Sequence, residues 1–538
     1  MGMSSPARNH TQDVSGVLEG LHRTIADLVP YAESLLSAVH TASPRSDQHY
    51  YRVYRRPAGG LCRVTQRPDG EWVIEALTIT GMTGILARLD DWLTAGKNPG
   101  NPPRWLADDL LNWPGVSLPV LQGVATHPVL GPRGQMAVSA GYDAETGLWL
   151  TDRACIDVDA IPDGGIAIDW LQNWLQDIPW ADPADQTTYL GMLLGPILRP
   201  WLLARGQAAQ PLALLDASTP GAGKSLLAAL ALSIAGIQTT VQPVPEDPDE
   251  WRKLLTTTVS QGVSHLLLDN AKEGGRLDCP PLAALLTSGS WQDRALGTNR
   301  IISGLAPAVW LTGTNLHLSR ELARRSIVVR LTPPWDRPWQ RASSSFTHPD
   351  IRGWTRDHRP RLLGALVRLV LDWVAAGSPL NPDTTLGNFE VWAQAIGGVW
   401  AVAGVSGWLA TLDRTYETLD ADHAVWTGLL ELWHDTWGDT PHSAHDVMDS
   451  PALKTGAQNW LTAHDDAGQV CQLGRKLASG RGAIHGTFQL VAAERKPHTK
   501  RERYLVRRLA TANTQTSPQE VPHPRSVDAD TWVADEEA

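Results

Sequence analysis

Residues Leu212–Ser225 read LALLDASTPGAGKS, and the helix-forming run LLAALALSIAG follows at once. An apolar run, Leu212 to Leu215, ends in small and turn-forming residues before Gly221, Gly223, Lys224 and Ser225. Strand, glycine-containing loop and helix in that order are what a phosphate cradle requires. The glycines let backbone N–H groups curl around an anion, and the helix points its positive N-terminus at the same place. The cradle comprises Pro220, Gly221, Ala222, Gly223, Lys224 and Ser225. Lys224 is placed to reach the β- and γ-phosphates, and the Ser225 hydroxyl to take one position on Mg2+. Ser218 stands where the pattern G-x-x-x-x-G-K-[ST] has its first glycine. A nucleotide site is expected.

Downstream, PEDPDEWRKLL opens a helix with proline and acidic residues suited to its first turn. VSHLLLDN then gives an apolar strand, Leu266 to Leu268, ending on Asp269, 45 positions after Lys224. That interval holds a crossover helix and a further segment, so Asp269 is expected to hold Mg2+ through water beside Ser225. A buried strand with an ordinary terminal aspartate is the plainer alternative. SGSWQDRALGTNRII resembles two short strands around Gly297, Thr298 and Asn299. PAVWLTGTN is a third apolar strand with Asn315 as its last residue, suited to orient the attacking water or read the γ-phosphate. LSRELARRSIVVRL supplies a short helix carrying Arg320, Arg324 and Arg325, then a strand to Leu331. Arg324 or Arg325 can project towards a neighbouring subunit's nucleotide and offset transition-state charge. Salt bridges on a surface helix are the alternative.

The chain has 538 residues and a formal net charge of −11, which argues against uniform nucleic-acid binding but leaves room for a local basic patch. Three or four domains are expected at that length. Cys62, Cys155, Cys279 and Cys471 lie far apart with no C-x-x-C pair, so a disulfide framework and a cysteine-rich zinc site are not expected. That usage fits a reducing cytoplasm. No basic segment followed by an apolar core opens the sequence, and the most apolar stretch, Tyr189 to Leu203, is broken by Pro196, Arg199 and Pro200. A cytoplasmic protein with no membrane partner is expected. The 24 tryptophans are read mainly as core and cap residues, with base stacking open to one or two.

The N-terminal third alternates helix and strand patterns: a helix over 14–39, strands around the turns Pro-Ala-Gly-Gly and Pro-Asp-Gly, a helix over 82–95, the loop KNPGNPPR, a helix over 105–112, and short strands over 120–150. It spells no catalytic constellation. Apolar helices over 168–175 and 186–204 lead into the phosphate loop.

In order, PGAGKS, LLLDN, RALGTNR, LTGTN and SRELARRSIVVRL resemble the AAA+ ATPase of phage, plasmid and integrated-element replication proteins. These are superfamily-three-like helicases, often fused to a primase-polymerase domain. The likeness extends to HPDIRGWTRDHRPRLLGALVRLVLDWVAAG, GYDAETGLWL and LGNFEVWAQAIGGVWAVAG, covering residues 115–440. It implies ATP and Mg2+ as cofactors and a homo-oligomeric ring, a hexamer, with ATP at subunit interfaces. Single-stranded DNA would lie in the ring, gripped at its backbone by Arg294, Asn299 and Arg300 of the Gly297 hairpin; a plain surface hairpin is the alternative. No primase-polymerase half is evident, so priming is not implied and a separate primase or polymerase becomes a candidate partner. Three positions depart from the pattern: Ser218, Thr314 (TGTN in place of TGNN) and Asn270, where many AAA+ enzymes place a glutamate. An amide orients a water but cannot take its proton. Glu273 is the nearest other carboxylate in the sequence after Asp269.

Residues 386–437 are helix-rich with little chemistry. Between Arg475 and Arg508, ten Lys or Arg face two Glu, a local net of +8. Helix, strand, basic turn and strand there look like a winged-helix module meeting duplex DNA through Arg475, Lys476, Arg481, Lys500, Arg501 and Arg503, with a solvated basic face as the alternative. The expected architecture is an α/β P-loop NTPase (AAA+-like) core with an α+β N-terminal region and a helical plus winged-helix-like C-terminal region. Its limits are 1–115, a strand-rich connector 116–185, the core 186–378, a helical domain 385–450, the basic module 451–510 and an acidic disordered tail 511–538. The expected function is an ATP-dependent replicative helicase or helicase-like initiator of a phage or other mobile element. The alternative is a nucleotide-switched DNA-binding loader or recruiter of a separate helicase, with slow turnover.

Overall fold

The computed structural model describes residues 25–41, 52–89 (bar 58, 69 and 71), 92–93, 99–156 (bar 114), 161, 163–237, 241–294, 297, 301–413, 416, 421–494 (bar 462 and 464) and 502–509. The chain divides into two compact units, Met1–Ala421 and Asp422–Ala538.

A five-stranded sheet centres the first unit, in the order Gln242–Pro243, His265–Asp269, Ala308–Thr312, Leu212–Ala217, Ser326–Leu331. Every pairing in it is parallel. Parallel strands covered by helices on both faces must be apolar throughout, and Leu212–Ala217 is buried at all six positions. The two faces divide by alternation. Ala213, Leu215, Ala217, Ile327 and Val329 enter one core with helices Pro183–Leu203, Lys224–Ala235, Arg359–Ala375 and Glu390–Val402. Leu212, Leu214, Leu266, Leu268, Val309 and Leu311 enter the other, with helices Pro248–Ser260 and Pro280–Ser288. Side chains start two of these helices: Asp182 accepts from Ala184 N at 2.9 Å and Asp247 from Asp249 N at 2.7 Å. Because the strands are parallel, their carboxyl ends share one edge, where ligands of open α/β sheets bind.

Upstream, helices Ile25–Thr41, Ile79–Leu89 and Arg104–Asn112 pack through Leu36, Met82, Leu86, Leu106 and Leu110. An antiparallel sheet of Tyr54–Arg55, Leu61–Gln66 and Trp72–Ala76 shares a second small core with Leu121 and Trp149. The helix expected over 82–95 stops at Leu89, and Trp92–Leu93 instead pairs with Pro99–Gly100 from the expected loop. The helix expected over 14–39 is Ile25–Thr41, its first residues lying outside the described ones. Residues 385–450 do not form a core of their own: Trp392, Ile396 and Trp400 pack in the first unit, whereas Trp426, Leu430 and Trp433 pack in the second.

The second unit runs helix Ala421–Trp437, strand His442–Ser443, helices Ala444–Asp449, Pro451–Gly456 and Asp466–Ser479, then strands Ile484–His485, Phe488–Ala493 and Arg503–Arg508. The first and last of the strands pair, giving an antiparallel sheet in the order His442–Ser443, Arg503–Arg508, Phe488–Ala493, Ile484–His485. Leu473 and Leu477 of the last helix pack on Phe488, Leu490, Tyr504 and Val506. Among the described residues no helix is long and apolar enough to cross a membrane.

Candidate active site

Three strands deliver side chains to the same sheet edge. Leu212–Ala217 runs into the loop, where Gly221 and Gly223 take φ of 73° and 104°, left-handed values that glycine adopts without strain. Helix Lys224–Ala235 begins on Lys224 itself. From the first turn of that helix, Ser225 Oγ donates to Asp269 Oδ1 at 2.7 Å. Thr312 Oγ1 donates to the same oxygen at 2.5 Å and accepts from Asn270 N at 2.9 Å. Two hydroxyls thus fix the Asp269 carboxylate at the end of its strand. Among the described residues no group of three or more His, Cys, Asp or Glu could hold a metal. A magnesium site here would rest on Ser225, Asp269 and ligand phosphates, the sparse protein ligation that Mg2+ favours.

Lys224 is half-buried, and burial lowers its pKa, while Asp216, Asp269 and Glu273 act in the opposite direction. Glu273 therefore acts on the loop lysine through space, as well as standing near Asp269 in sequence. Its segment is tied to the next strand end by Ala271 N to Thr312 O at 2.9 Å and Gly274 N to Thr314 O at 3.0 Å.

Asn315 takes a left-handed φ of 47°, and Asn270 one of 63°, conformations that asparagine tolerates better than most side chains. Both amide ends of Asn315 are held: Nδ2 donates to Ser218 O at 3.0 Å and Oδ1 accepts from Arg330 at 2.9 Å. Arg330 also pairs with Asp216, which is 0% exposed and accepts from Leu316 N at 3.2 Å. Burial raises the Asp216 pKa, and the Arg330 guanidinium opposes that shift. Asp216, Thr312 and Arg330 join the site in the fold without standing out in the sequence. The signal is a charge inside an apolar strand for Asp216 and Arg330, in LALLDA and SIVVRL, and a polar last residue for Thr312, in AVWLT.

The two arginines weighed as fingers differ in surroundings. Arg325 is 5% exposed, donating to Thr287 Oγ1 at 2.6 Å and Glu321 O at 2.8 Å, so it locks its helix to Pro280–Ser288. Arg324 is exposed and forms a two-pronged pair with Glu321, at 2.9 and 2.8 Å, which raises its own pKa and lowers that of Glu321.

The hairpin is present as Ser290–Arg294 paired antiparallel with Ile301–Leu305, Ile301 being 59% exposed. Arg294 is exposed at its rim; Asn299 and Arg300 lie outside the described residues. In the second unit, Arg475 and Arg481 are exposed, Lys476 lies 5.3 Å from the Trp460 ring, and Arg503 donates to Pro441 O. Lys500 and Arg501 lie outside the described residues.

The sequence matches no protein-family model and no curated protein. Two structures of JCV helicase, one with a bound inhibitor, are similar over part of the chain, each at a TM-score of 0.23. Identity is 13% and 15%, and the overlap covers 41% and 48% of this chain. The chain spans only 56% and 65% of the length of those two structures. A third JCV helicase structure, with a thiazolopyridine-containing acetamide bound, overlaps at 15% identity and a TM-score of 0.21, covering 48% of this chain and 74% of that one. Overlap of this extent leaves the assignment to the chain's own geometry. That geometry, a parallel sheet with the loop, helix and terminal carboxylate at one edge, is a P-loop NTPase-like α/β core.

Proposed function

We propose that this chain is an ATP-dependent DNA helicase, or helicase-like replication initiator, of a phage or other mobile element, working as a homo-oligomeric ring. The observation that carries the reading is the Ser225–Asp269 hydrogen bond of 2.7 Å beside Lys224 at the carboxyl edge of a parallel sheet. In this reading residues 220–225 cradle the phosphates and Lys224 stabilises the β- and γ-oxygens. Ser225 and Asp269 would hold Mg2+, which would supply positive charge to offset that of the phosphates. Asn315, held by Arg330 and Ser218, orients the attacking water. Asn270 cannot accept its proton, and Glu273, which acts electrostatically on Lys224, is the carboxylate available to do so. Arg324, exposed and bound to Glu321, is free to exchange that carboxylate for a neighbouring subunit's γ-phosphate. Arg325 serves to hold the helix in place.

DNA contact is assigned to the Arg294 hairpin within the ring and to the second unit on duplex. Helix, strand, helices, and then three antiparallel strands, the last paired with the first strand, is a winged-helix order. In this reading the module takes in residues from Asp422 onward, wider than 451–510, since Trp426, Leu430 and Trp433 pack in the core of the second unit. The test is ATP hydrolysis and fork unwinding by the purified full chain. Lys224→Ala is expected to lower both by about 100-fold or more. Unwinding that persists in this variant overturns the mechanism. Asn270 favours one second reading, a loader that assembles on DNA with ATP and hydrolyses it slowly. Stable ATP-dependent oligomers on DNA without strand separation would select it.

A further inference from the structure

The segment after strand Ser326–Leu331 returns across the phosphate loop. Its short turn Pro338–Gln340 sets Trp339 against Gly221: a methyl group built on Gly221 would lie 2.9 Å from Trp339 Cε3 and 3.4 Å from its Cβ. Glycine at 221 therefore serves twice, permitting the φ of 73° and admitting the indole. Trp339 is nevertheless 60% exposed. Among the described residues its ring has no hydrogen-bond or aromatic partner, so folding alone gains little from placing a large apolar ring there.

The turn that carries it is braced. The Arg341 guanidinium lies 4.8 Å from the Trp335 ring and 4.0 Å from the Phe346 ring, and donates to Asp177 O at 3.2 Å. Asp177 in turn accepts from Thr347 N at 2.6 Å. On the same side, residues 179–181 border the outer strand through Thr332 N to Pro179 O at 2.8 Å and Ala181 N to Arg330 O at 2.9 Å. A flat, exposed ring thus stands beside a loop whose backbone groups, in the nucleotide reading, would hold phosphates alone. A nucleotide's base needs a contact of its own, and stacking on an aromatic face supplies one with any base.

We propose that Trp339 is the stacking platform for the base of the nucleotide held by the loop, with purines favoured by their larger π-face. The proposal rests on the nucleotide reading above and adds a residue for the base.

The experiment measures dissociation constants of the full chain for ATP and for inorganic tripolyphosphate, by calorimetry, in wild type, Trp339→Ala, Trp339→Phe and Lys224→Ala. Trp339→Ala is expected to weaken ATP binding about 10-fold while tripolyphosphate binding stays the same, and Trp339→Phe to retain most of the ATP affinity. Equal weakening of both ligands means that the indole merely shapes the loop, and overturns the proposal. Unchanged ATP affinity in Trp339→Ala overturns it too, including where only the oligomer size changes. The loop reading fails separately: it stands if wild type binds tripolyphosphate and Lys224→Ala does not, whatever Trp339 does. If wild type binds neither ligand, the loop and the platform fall together.

Discussion

The Asp216 carboxylate sits fully buried one strand residue before the phosphate loop, and its cation comes from Arg330, 114 positions later. Removing one member of such a pair leaves an uncompensated buried charge, which costs about 3–5 kcal/mol. Arg330→Ala is therefore expected to lower the unfolding free energy of the first unit by that amount in urea titration. Adding Asp216→Asn to the same chain should restore part of it, since the neutral amide needs no cation. The same guanidinium holds Asn315 Oδ1, so the double variant should still turn over ATP poorly, by about 10-fold. Stability and activity would then separate. This network was not legible in the sequence, where Asp216 and Arg330 show only as charges inside apolar runs. Lys224 and Ser225 stand out there, because loop chemistry is local. Arg324 and Arg325 have equal claims in the sequence, and burial divides them: Arg325, 5% exposed, is held by Thr287 and Glu321, whereas Arg324 is exposed.

Strands ending in polar residues were readable because a parallel strand buried on both faces must be a continuous apolar run, and chemistry begins where the run stops. Their spatial order was not readable, since it depends on crossovers that place Ala308–Thr312 between the loop strand and the Asp269 strand. The helix boundary near residue 89 was missed for a related reason: pairing of Trp92–Leu93 with Pro99–Gly100 overrides a local helical pattern. Two glycines with left-handed φ, one capping a helix and one in a turn between strands, differ in their surroundings. Gly289 caps Pro280–Ser288 with φ 63°, and a methyl group there would lie 2.2 Å from Ala208 C and 2.3 Å from Ala209 N. Gly274 has φ 61° with nothing within 4 Å. Gly289→Ala combines left-handed strain with overpacking against backbone and should cost about 2–5 kcal/mol. Gly274→Ala carries the strain alone and should cost about 1–2 kcal/mol. Chemical denaturation of the two variants reads the difference, and equal losses would mean that the Ala208 backbone yields to the added methyl.

At the scale of the whole molecule, the first unit is predicted to be acid-sensitive and the second to carry DNA affinity. Burial lowers the pKa of His127 to about 4 and of His265 to about 3, so both stay neutral when folded while the unfolded chain titrates them at its ordinary value near 6.5. Their stabilising contribution is complete above pH 6.5 and is lost as pH falls towards 4 and 3, at about 1.4 kcal/mol per pH unit for each histidine. Urea unfolding at pH 7 and pH 5 measures it, and His265→Asn should flatten the dependence by about half. The second unit has its own core, with Leu429, Trp433, Leu473, Leu490 and Val506 all at 0% exposure, so a chain ending at Ala421 removes a whole packing unit. Basal ATP hydrolysis by that shortened chain should stay within about 3-fold of the full chain, because Lys224, Ser225, Asp269 and Asn315 all lie in the first unit. Duplex affinity should fall, and so should its salt dependence. Arg475, Lys476, Arg481 and Arg503, if they meet four phosphates, account for a slope of about −3.6 in log affinity against log salt. Fluorescence anisotropy of labelled duplex at several salt concentrations reads that slope before and after the deletion. A slope unchanged by removing residues 422–538 would move the electrostatic contact to the first unit, to Arg294 and the hairpin that bears it.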